Sequence, residues 1–296
     1  MKFYKALIFS LCLSSMAEAN IPERFPSYSF VLTNFNVDQN YIHNAEFKRF
    51  VQKYEHRYRK YFSLAMKNGR YIIPTIKHQL IERGLSPMFL YLSLAESSFK
   101  PWAVSSSKAI GLWQFKRGAG MDQKLTMNHV VDERYDPIRS TEAAMGYLSV
   151  QNEGFDRWYL AAMSYNWGKG NVKKAIARAG TKDLSVLMDP RRGLVRKETR
   201  DYIHKILLFA MIGENYLFNS RDSFGKMVPT SEHEKLVPVK VRNNERLERV
   251  ARVLNINLNV LKSNNLHLRK GYVPNQKFSV NIPESKLQTY YQHYRR

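Results

Sequence analysis

Residues 86–114 read SPMFLYLSLAESSFKPWAVSSSKAIGLWQ, and this stretch decides how the rest of the chain is interpreted. Ser86 followed by Pro87 is a typical helix start, because serine caps free backbone N–H groups and proline suits the first helical position. The apolar run 88–95 then predicts a helix, and one acidic residue, Glu96, stands at its end. The stretch therefore predicts an apolar helix that ends in a single carboxyl group.

Glu96 has two interpretations. Most glutamates are solvated, so an exposed carboxylate at a helix end is the simpler one. However, a negative charge at the C-terminal end of a helix opposes the helix dipole, which makes the position a poor choice for stability alone. Apolar neighbours would raise the pKa of this carboxyl by desolvation, so that it stays protonated near neutral pH and acts as a general acid. Those neighbours are Phe99, Pro101, Trp102 and Trp113.

Motifs that include or follow Glu96 resemble those of the lytic transglycosylases, a lysozyme-like family. They are Glu-Ser at 96–97, GLWQ at 111–114, VDERYDP at 131–137 and YNWGKG at 165–170. The resemblance covers roughly residues 40–218, and the VDERYDP block is most similar to the D-type enzymes of the family. Four motifs in the family's order argue against a chance agreement.

The resemblance implies a fold and a set of residue roles. It implies a mainly α fold with a lysozyme-like α-helical catalytic domain, in which Glu96 is the catalytic residue. Ser105 and Gln114 are expected to contact the sugar beside the acid, although the Gln114 side chain can instead cap the local backbone. The family's counterpart of Tyr165 points its hydroxyl at the catalytic glutamate. Asn166 is expected to support the loop or bind the substrate.

Two places depart from the family pattern. The family usually has glycine immediately before the residue matching Ala109, whereas this chain has Lys108, so the turn geometry there is open. Residues 116–130 depart most, and no loop geometry is assigned to them. Neither departure alters the acid.

The VDERYDP block places three carboxylates close together: Asp132, Glu133 and Asp136. One of them is a candidate for a second catalytic group. The simpler interpretation is structural, because Asp136 precedes Pro137 and a Ser-Thr pair, which is typical of a turn followed by a helix cap. The resemblance agrees, since the family's motif here supports the cleft.

Apolar residues at intervals of three and four predict packed helices along most of the chain. The first is an amphipathic helix at 44–66 with an aromatic stripe. Packing against a hydrophobic core explains this stripe better than a role as a sugar-binding surface. The further predicted helices are 72–83, 141–151, 155–165, 172–179 and 197–218. The stripe comprises Phe47, Phe50, Val51, Tyr54, Tyr58, Tyr61, Phe62 and Ala65.

Residues 239–283 predict a strand, two helices and a second strand, with the helices about residues 247–254 and 260–261. This small βααβ module resembles the LysM glycan-binding module. The likeness is partial, because Asn243 and Asn244 stand where the first helix is usually preceded by Gly-Asp. Whether the module still binds glycan is therefore left open.

The N-terminal residues have the pattern of a secretory signal. Lys2 and Lys5 precede a short apolar run, and Ala17-Glu18-Ala19 resembles a cleavage site. Cys12 is the single cysteine and follows leucine rather than a small residue, which disfavours lipid attachment. The predicted division of the chain is 1–19 signal peptide, 20–40 leader, 41–220 catalytic domain, 221–238 linker, 239–283 LysM-like module and 284–296 basic tail.

The charge balance indicates an acidic partner. The chain has 47 Lys and Arg against 25 Asp and Glu, which favours nucleic acid, an anionic membrane surface or the peptide-bearing cell wall. Secretion disfavours nucleic acid and leaves peptidoglycan in the periplasm, with peripheral membrane association allowed. A general preference for lysine explains the excess equally well. No cofactor or metal is expected, because phosphate-binding loops, HExxH and paired-cysteine motifs are absent from the sequence.

Three functions remain open. The favoured one is a peptidoglycan lytic transglycosylase, a carbon–oxygen lyase that cleaves the β-1,4 bond between MurNAc and GlcNAc and leaves 1,6-anhydroMurNAc ends. The resemblance implies that Glu96 acts first as acid and then as base. The alternatives are a hydrolytic muramidase that uses a second carboxylate, and a wall-binding protein that has lost activity.

Overall fold

The computed structural model describes residues 20–219 and 234–294 and is mainly helical. In these two ranges no helix is both long and apolar enough to cross a bilayer. The predicted signal peptide and most of the predicted linker lie outside the described residues.

The first part of the chain contains eleven α-helices within residues 20–219. They are α1 Ile21–Arg24, α2 Tyr28–Asn34, α3 Ala45–Met66, α4 Ile72–Glu82, α5 Phe89–Ser97, α6 Arg117–Asp122, α7 Pro137–Phe155, α8 Trp158–Trp167, α9 Lys169–Ala179, α10 Leu184–Leu187 and α11 Lys197–Asn219.

The second part is the smaller module. Its elements are β1 Leu236–Val239, β2 Glu245–Arg246, α12 Leu247–Val253, α13 Leu258–Asn264, β3 Tyr272–Val273, β4 Val280–Pro283 and α14 Leu287–Tyr294. Short 3₁₀ turns at Gln39–His43, Glu133–Tyr135, Pro190–Arg192 and Glu284–Lys286 join or precede these elements.

Helix α3 forms as its sequence predicts. The Asn44 side chain accepts hydrogen bonds from the backbone N–H groups of Glu46 and Phe47, both at 3.0 Å, and so caps the helix. The predicted apolar face then packs against α11, where Phe50 contacts the buried imidazole of His204 at 5.4 Å between ring centroids. The burial of this face aligns α3 with the last helix of the domain.

Residues 20–40 are more ordered than the sequence pattern indicated. They form α1 and α2 and bury Phe25, Leu32 and Phe35 completely in the main hydrophobic core. The sequence had predicted only a leader for residues 20–40. Its apolar residues are spaced irregularly because they lie on two short helices and the turn between them.

Helix α5 passes through the centre of the domain. All of its residues except Glu96 are buried, which explains why its sequence is apolar on every side. The helix begins at Phe89, two residues later than its start signal indicates. Ser86 instead donates to the carbonyl of Asn34 at 2.6 Å and accepts from the Met88 N–H at 3.3 Å, so its hydroxyl orders the turn before the helix.

The module has two short antiparallel pairs, β1 with β4 and β2 with β3. Leu236 faces Pro283 and Val239 faces Val280 in the first pair. The two helices lie between these strands in sequence, which confirms the predicted βααβ order. The tail adds α14, whose Tyr290 is buried in the module core.

The module packs directly against the VDERYDP block of the helical domain. Val131 belongs to the module's hydrophobic core and forms a β-bridge with Leu268. The Asp132 N–H donates to the carbonyl of His267 at 3.0 Å, and the Arg269 N–H donates to the carbonyl of Val130 at 2.9 Å. The block is therefore part of an interface between the two regions.

Candidate active site

Glu96 lies at the C-terminal end of α5, where the chain turns sharply. The next residue but one, Ser98, has φ +57°, and Phe99 also has φ +57°, so two consecutive residues without glycine adopt the left-handed conformation. This conformation costs an L-residue roughly 1–2 kcal/mol. The helix therefore stops one residue after the acid, at a strained corner.

Contacts from α3 and the segment after it hold that corner. Tyr61 hydrogen-bonds the Ser98 hydroxyl, and the Asn68 amide donates to the Ser98 carbonyl at 3.1 Å. The Phe99 ring is 1% exposed and is anchored in the core. Together these contacts fix the direction in which the Glu96 side chain leaves the helix.

The carboxyl of Glu96 is partly buried and receives a hydrogen bond from the last helix. The hydroxyl of Tyr202 on α11 donates to Glu96 Oε1 at 2.5 Å. Burial raises the pKa of Glu96 above its usual value, while the Tyr202 hydrogen bond and the positive charge of Lys205 lower it. Because burial is the largest influence, the net shift is upward, the direction expected for a general acid.

Lys205 lies one helical turn after Tyr202 and faces the same end of α5. Its ammonium donates to the carbonyl of Ala95 at 2.7 Å. A cation here complements both the helix C-terminus and the neighbouring Glu96 carboxyl. Burial lowers the pKa of Lys205 and the charge of Glu96 raises it, so the two groups influence each other's protonation.

Tyr165 does not make the hydrogen bond that the resemblance implied. Its hydroxyl donates to the backbone carbonyl of Trp113 at 2.6 Å, and the hydroxyl that reaches Glu96 is that of Tyr202. Tyr165 is still close to the acid, because the charge of Glu96 helps to raise its pKa. The structure therefore gives the two tyrosines different tasks: Tyr202 contacts the carboxyl, and Tyr165 supports the GLWQ segment.

The GLWQ segment is fitted tightly against the VDERYDP block. Gly111 has φ +81°, and a Cβ atom built on it would lie 1.9 Å from the carbonyl oxygen of Arg134, so only glycine fits. The Trp113 ring is completely buried, and its N–H donates to the Thr141 hydroxyl at 2.8 Å. The segment is thereby held beside α5.

Ser105 and Gln114 are used locally in this structure. The Ser105 hydroxyl accepts from the Ala109 N–H at 3.0 Å. Gln114 has φ +50°, and its amide donates to the carbonyls of Gly111 at 2.9 Å and Ala103 at 3.4 Å. The backbone-capping interpretation of Gln114 thus describes its contacts here, and both side chains shape the loop between α5 and α6.

Lys108 adopts the backbone conformation that glycine favours. It has φ +60°, which is the left-handed region that glycine adopts without strain. The turn geometry is therefore available to this chain, with lysine accepting the strained conformation.

Asn166 ties the YNWGKG loop to the start of α11. Its side-chain oxygen accepts from the buried Thr199 hydroxyl at 2.8 Å and from Arg196 at 3.5 Å. Thr199 lies three residues before Tyr202, so the loop helps to set the position of the helix that carries the Tyr202 hydroxyl.

The three carboxylates of the VDERYDP block are engaged in structural contacts. Asp132 forms a two-pronged ion pair with Arg134, at 2.9 and 2.7 Å. Glu133 accepts from the Thr126 N–H at 2.7 Å. Asp136 caps α7 and also accepts from the Asn281 amide of the module at 2.9 Å. These contacts favour the turn-and-cap interpretation of all three groups.

Tyr202 and Lys205 were not among the predicted site residues. Both lie on a long helix whose apolar spacing indicates packing, and no local signal marks them as neighbours of Glu96. The start of this helix, KETRDY at 197–202, resembles the D-type enzymes of the family, and this resemblance was the only available hint. Their proximity arises from the packing of α11 against α5, a contact between distant segments.

Family comparisons identify both regions. Residues 74–187 match the family described as "Transglycosylase SLT domain". The chain carries a transglycosylase SLT domain. Residues 235–296 match the family described as "Lytic transglycosylase MltD, LysM-like domain", so the C-terminal module is LysM-like. The SLT domain contains Glu96, Gln114, Tyr165 and Asn166, whereas Tyr202 lies beyond the matched residues.

Curated relatives agree with these matches. The chain is 31% identical over 196 residues to "Membrane-bound lytic murein transglycosylase D" of Escherichia coli (strain K12), covering 64% of this chain and 41% of the relative. It is 27% identical over 163 residues to "Membrane-bound lytic murein transglycosylase C" of Photorhabdus laumondii, covering 47% of this chain and 46% of the relative. The chain thus spans less than half the length of these relatives. The predicted resemblance and the mainly α fold are confirmed.

Proposed function

We propose that this protein is a peptidoglycan lytic transglycosylase in which Glu96 is the only catalytic carboxyl group. The observation that carries the proposal is the environment of Glu96: a partly buried carboxyl on an SLT domain, with a raised pKa and a hydrogen bond from Tyr202. Besides burial, the groups that influence the pKa of Glu96 are Tyr202 and Lys205, and neither is a carboxylate. A single acid of this kind suits a reaction in which the substrate supplies its own nucleophile.

The proposed reaction balances without water. Glu96 gives its proton to the glycosidic oxygen between MurNAc and GlcNAc as that C–O bond breaks. The N-acetyl group of MurNAc stabilises the positive charge that develops at the sugar carbon. The Glu96 carboxylate then takes the proton of the C6 hydroxyl while that oxygen bonds to the sugar carbon, giving a 1,6-anhydroMurNAc end and regenerating the acid.

The neighbouring groups assist both halves of this cycle. Because Tyr202 donates to Oε1, the proton of the neutral carboxyl resides on Oε2, and one of the two oxygens is thereby assigned as the acid. After the proton is transferred, the same hydrogen bond and the charge of Lys205 stabilise the carboxylate. Glu96 is thus stabilised in the form that must next act as base.

A hydrolytic reaction would require a second catalytic carboxylate, at about 5 to 9.5 Å depending on the stereochemistry. The sequence candidates for it are Asp132, Glu133 and Asp136. Each is used in an ion pair, a loop contact or a helix cap. Their contacts favour the non-hydrolytic reaction.

The rest of the predicted organisation forms part of the proposal. We place the protein in the periplasm with peptidoglycan as its partner, after removal of residues 1–19, and without a role for nucleic acid. Ser105, Gln114 and Asn166 shape loops next to the acid, and we propose that they, with Tyr165, contact the bound sugar. The names of these relatives describe membrane-bound murein enzymes, which agrees with an envelope location.

Digestion of purified sacculi tests the proposal. We expect wild-type protein to release muropeptides that mass spectrometry finds lighter by one water than hydrolysis products. Glu96→Gln should abolish release, while Glu153→Gln, which removes an exposed carboxylate on α7, should not. Reducing MurNAc ends would indicate a muramidase. Sacculus binding without any release by the wild type would indicate a wall-binding protein.

A further inference from the structure

One flank of α3 carries cations that are stacked over tyrosine rings. The Lys53 ammonium lies 5.1 Å from the centroid of the Tyr54 ring. The Arg57 guanidinium lies 4.8 Å from the Tyr54 centroid and 5.5 Å from that of Tyr58. The two rings are stacked at 5.6 Å with an interplanar angle of 15°. We refer to Lys53, Tyr54, Arg57 and Tyr58 as the cation–tyrosine face.

Two tyrosines of this face, Tyr54 and Tyr58, belong to the aromatic stripe of α3 and lie where it approaches the surface. Phe47 and Phe62 of the stripe are buried in the core, as the sequence analysis expected. Tyr54 and Tyr58 are only half-buried, and Lys53 and Arg57 are exposed. Core packing therefore explains the phenylalanines, but it leaves one side of the tyrosine stack accessible to a ligand.

The cation–tyrosine face continues to the catalytic carboxyl. Tyr58 stacks on Phe209 of α11 at 4.8 Å, and the Lys205 ammonium lies 5.7 Å from the same Phe209 ring. Lys205 is in turn bonded to the Ala95 carbonyl, next to Glu96. The charge of Arg57 also lowers the pKa of Lys205, which agrees with this chain of ring contacts.

The acidic groups nearest to this face already have partners. Asp201 is paired with Lys197, and Glu55, on the same helix, is paired with Arg24 and Arg59. In residues 20–219 and 234–294, neither Lys53 nor Arg57 forms an ion pair with an acidic side chain within 4 Å. The face therefore presents two positive charges to a ligand that approaches from solvent.

We propose that the cation–tyrosine face binds the free carboxylates of the peptide stems on a glycan strand whose sugar lies at Glu96. This proposal rests on the proposed function and adds a substrate preference to it. A peptide stem is attached to MurNAc, the sugar that is cleaved, so stem carboxylates lie near the reacting bond. The guanidinium of Arg57 matches a carboxylate with two parallel N–H donors, which a lysine cannot do.

The tyrosines make this a pre-organised site. Cation–π contacts hold Lys53 and Arg57 over the rings, so less side-chain freedom is lost when a carboxylate binds. The two cations, Lys53 and Arg57, are four residues apart like the two tyrosines, which is about one helical turn or 6 Å along the axis. The two cations therefore form a short charged strip along α3 that leads away from the acid.

Binding measured on the inactive Glu96→Gln background tests the proposal without turnover. The ligands are soluble glycan strands that carry their peptide stems, and the same strands after an amidase has removed the stems. Lys53→Gln with Arg57→Gln should weaken binding of stem-bearing strands about tenfold, because two exposed charge contacts are lost. The affinity for stripped strands should not change. Tyr54→Leu should weaken binding of stem-bearing strands about threefold, because Lys53 and Arg57 would lose the ring that holds them in place.

A matched pair controls for net charge. Lys48→Gln with Arg83→Gln removes one exposed lysine and one exposed arginine elsewhere, and should leave both affinities unchanged. The proposal would be overturned if both double variants lost the same affinity for stem-bearing strands. It would also be overturned if Lys53→Gln with Arg57→Gln lost as much affinity for stripped strands as for stem-bearing ones. So would unchanged strand binding combined with lost binding to phosphatidylglycerol vesicles, which would assign the face to the membrane. Failure of the proposed function appears separately, as wild-type protein that forms no anhydro ends.

Discussion

The hydroxyl of Tyr202 provides the most direct test of the proposed chemistry. Tyr202→Phe removes one oxygen and keeps the ring that packs α11 against α5. The lost hydrogen bond joins the hydroxyl to Glu96 Oε1 at 2.5 Å, and a bond of this kind to a charged group contributes about 1.5–3 kcal/mol. If that energy acts when Glu96 becomes a carboxylate, kcat should fall roughly 10- to 100-fold.

The sign of the accompanying pH shift follows from the same contact. Glu96 must be protonated to act as a general acid, so activity declines as pH rises through its pKa. Burial raises that pKa, and the Tyr202 hydrogen bond lowers it. Removing the hydroxyl therefore raises the pKa further and moves the alkaline limb of the pH–rate profile to higher pH.

The assay is the initial rate of anhydro-end formation on sacculi between pH 4 and 9. Tyr147→Phe is the matched control, because its hydroxyl donates to the Ser164 carbonyl rather than to the acid. We expect the control to keep both its rate and its alkaline limb. An alkaline limb that stays in place or moves to lower pH in Tyr202→Phe would refute the assignment of Tyr202 as the group that tunes Glu96.

Four further predictions concern stability and are checked by denaturant unfolding. Lys108→Gly should stabilise the protein by about 0.5–1 kcal/mol, because φ +60° is unstrained for glycine; a destabilised variant would contradict this. Gly111→Ala should lower the free energy of unfolding by about 3 kcal/mol or more, since its Cβ would lie 1.9 Å from the Arg134 carbonyl oxygen. A loss below about 1 kcal/mol would argue against the observed fit. Asn281→Leu should cost about 2 kcal/mol by leaving Asp136 without its amide donor, and a neutral effect would show that the module contact is dispensable. Glu96→Gln should be more stable than wild type at pH 8, because the folded-state pKa of Glu96 is raised and its ionisation therefore destabilises the folded protein as pH rises. The difference in unfolding free energy should vanish near pH 4. A less stable variant at pH 8 would contradict the burial argument.

Local sequence signals predicted the helices that form the site. The three-and-four spacing of apolar residues identified α3 within one residue of its observed start. Asp136 before Pro137 indicated turn and cap chemistry, but the helix predicted at 141–151 begins four residues earlier, at Pro137, with Asp136 as its N-cap. These features were predictable because each depends on residues within one or two helical turns.

Contacts between distant segments were not predictable from spacing. The resemblance assigned the hydroxyl beside the acid to Tyr165, whereas the packing of α11 places Tyr202 there. The docking of the module on Val131 and Asp136 was likewise missed, because these residues already had a local explanation as loop and cap. Residues such as Tyr202 and Asp136 make one contact within their own segment and another with a distant segment. Only the contact within the segment leaves a pattern in the sequence.

The left-handed pair at Ser98 and Phe99 has a practical consequence for anyone who engineers this protein. A routine thermostabilisation scheme would install glycine at Ser98 to relieve strain, whereas glycine at Phe99 would empty a core position and cost more than the strain. Glycine at Ser98 would also let the backbone rotate more freely at the point where the acid is aimed, and it would remove the hydroxyl that hydrogen-bonds Tyr61. Stability gained at Ser98 would therefore come with a less precisely held Glu96 and slower turnover, so this strained corner is best left unchanged.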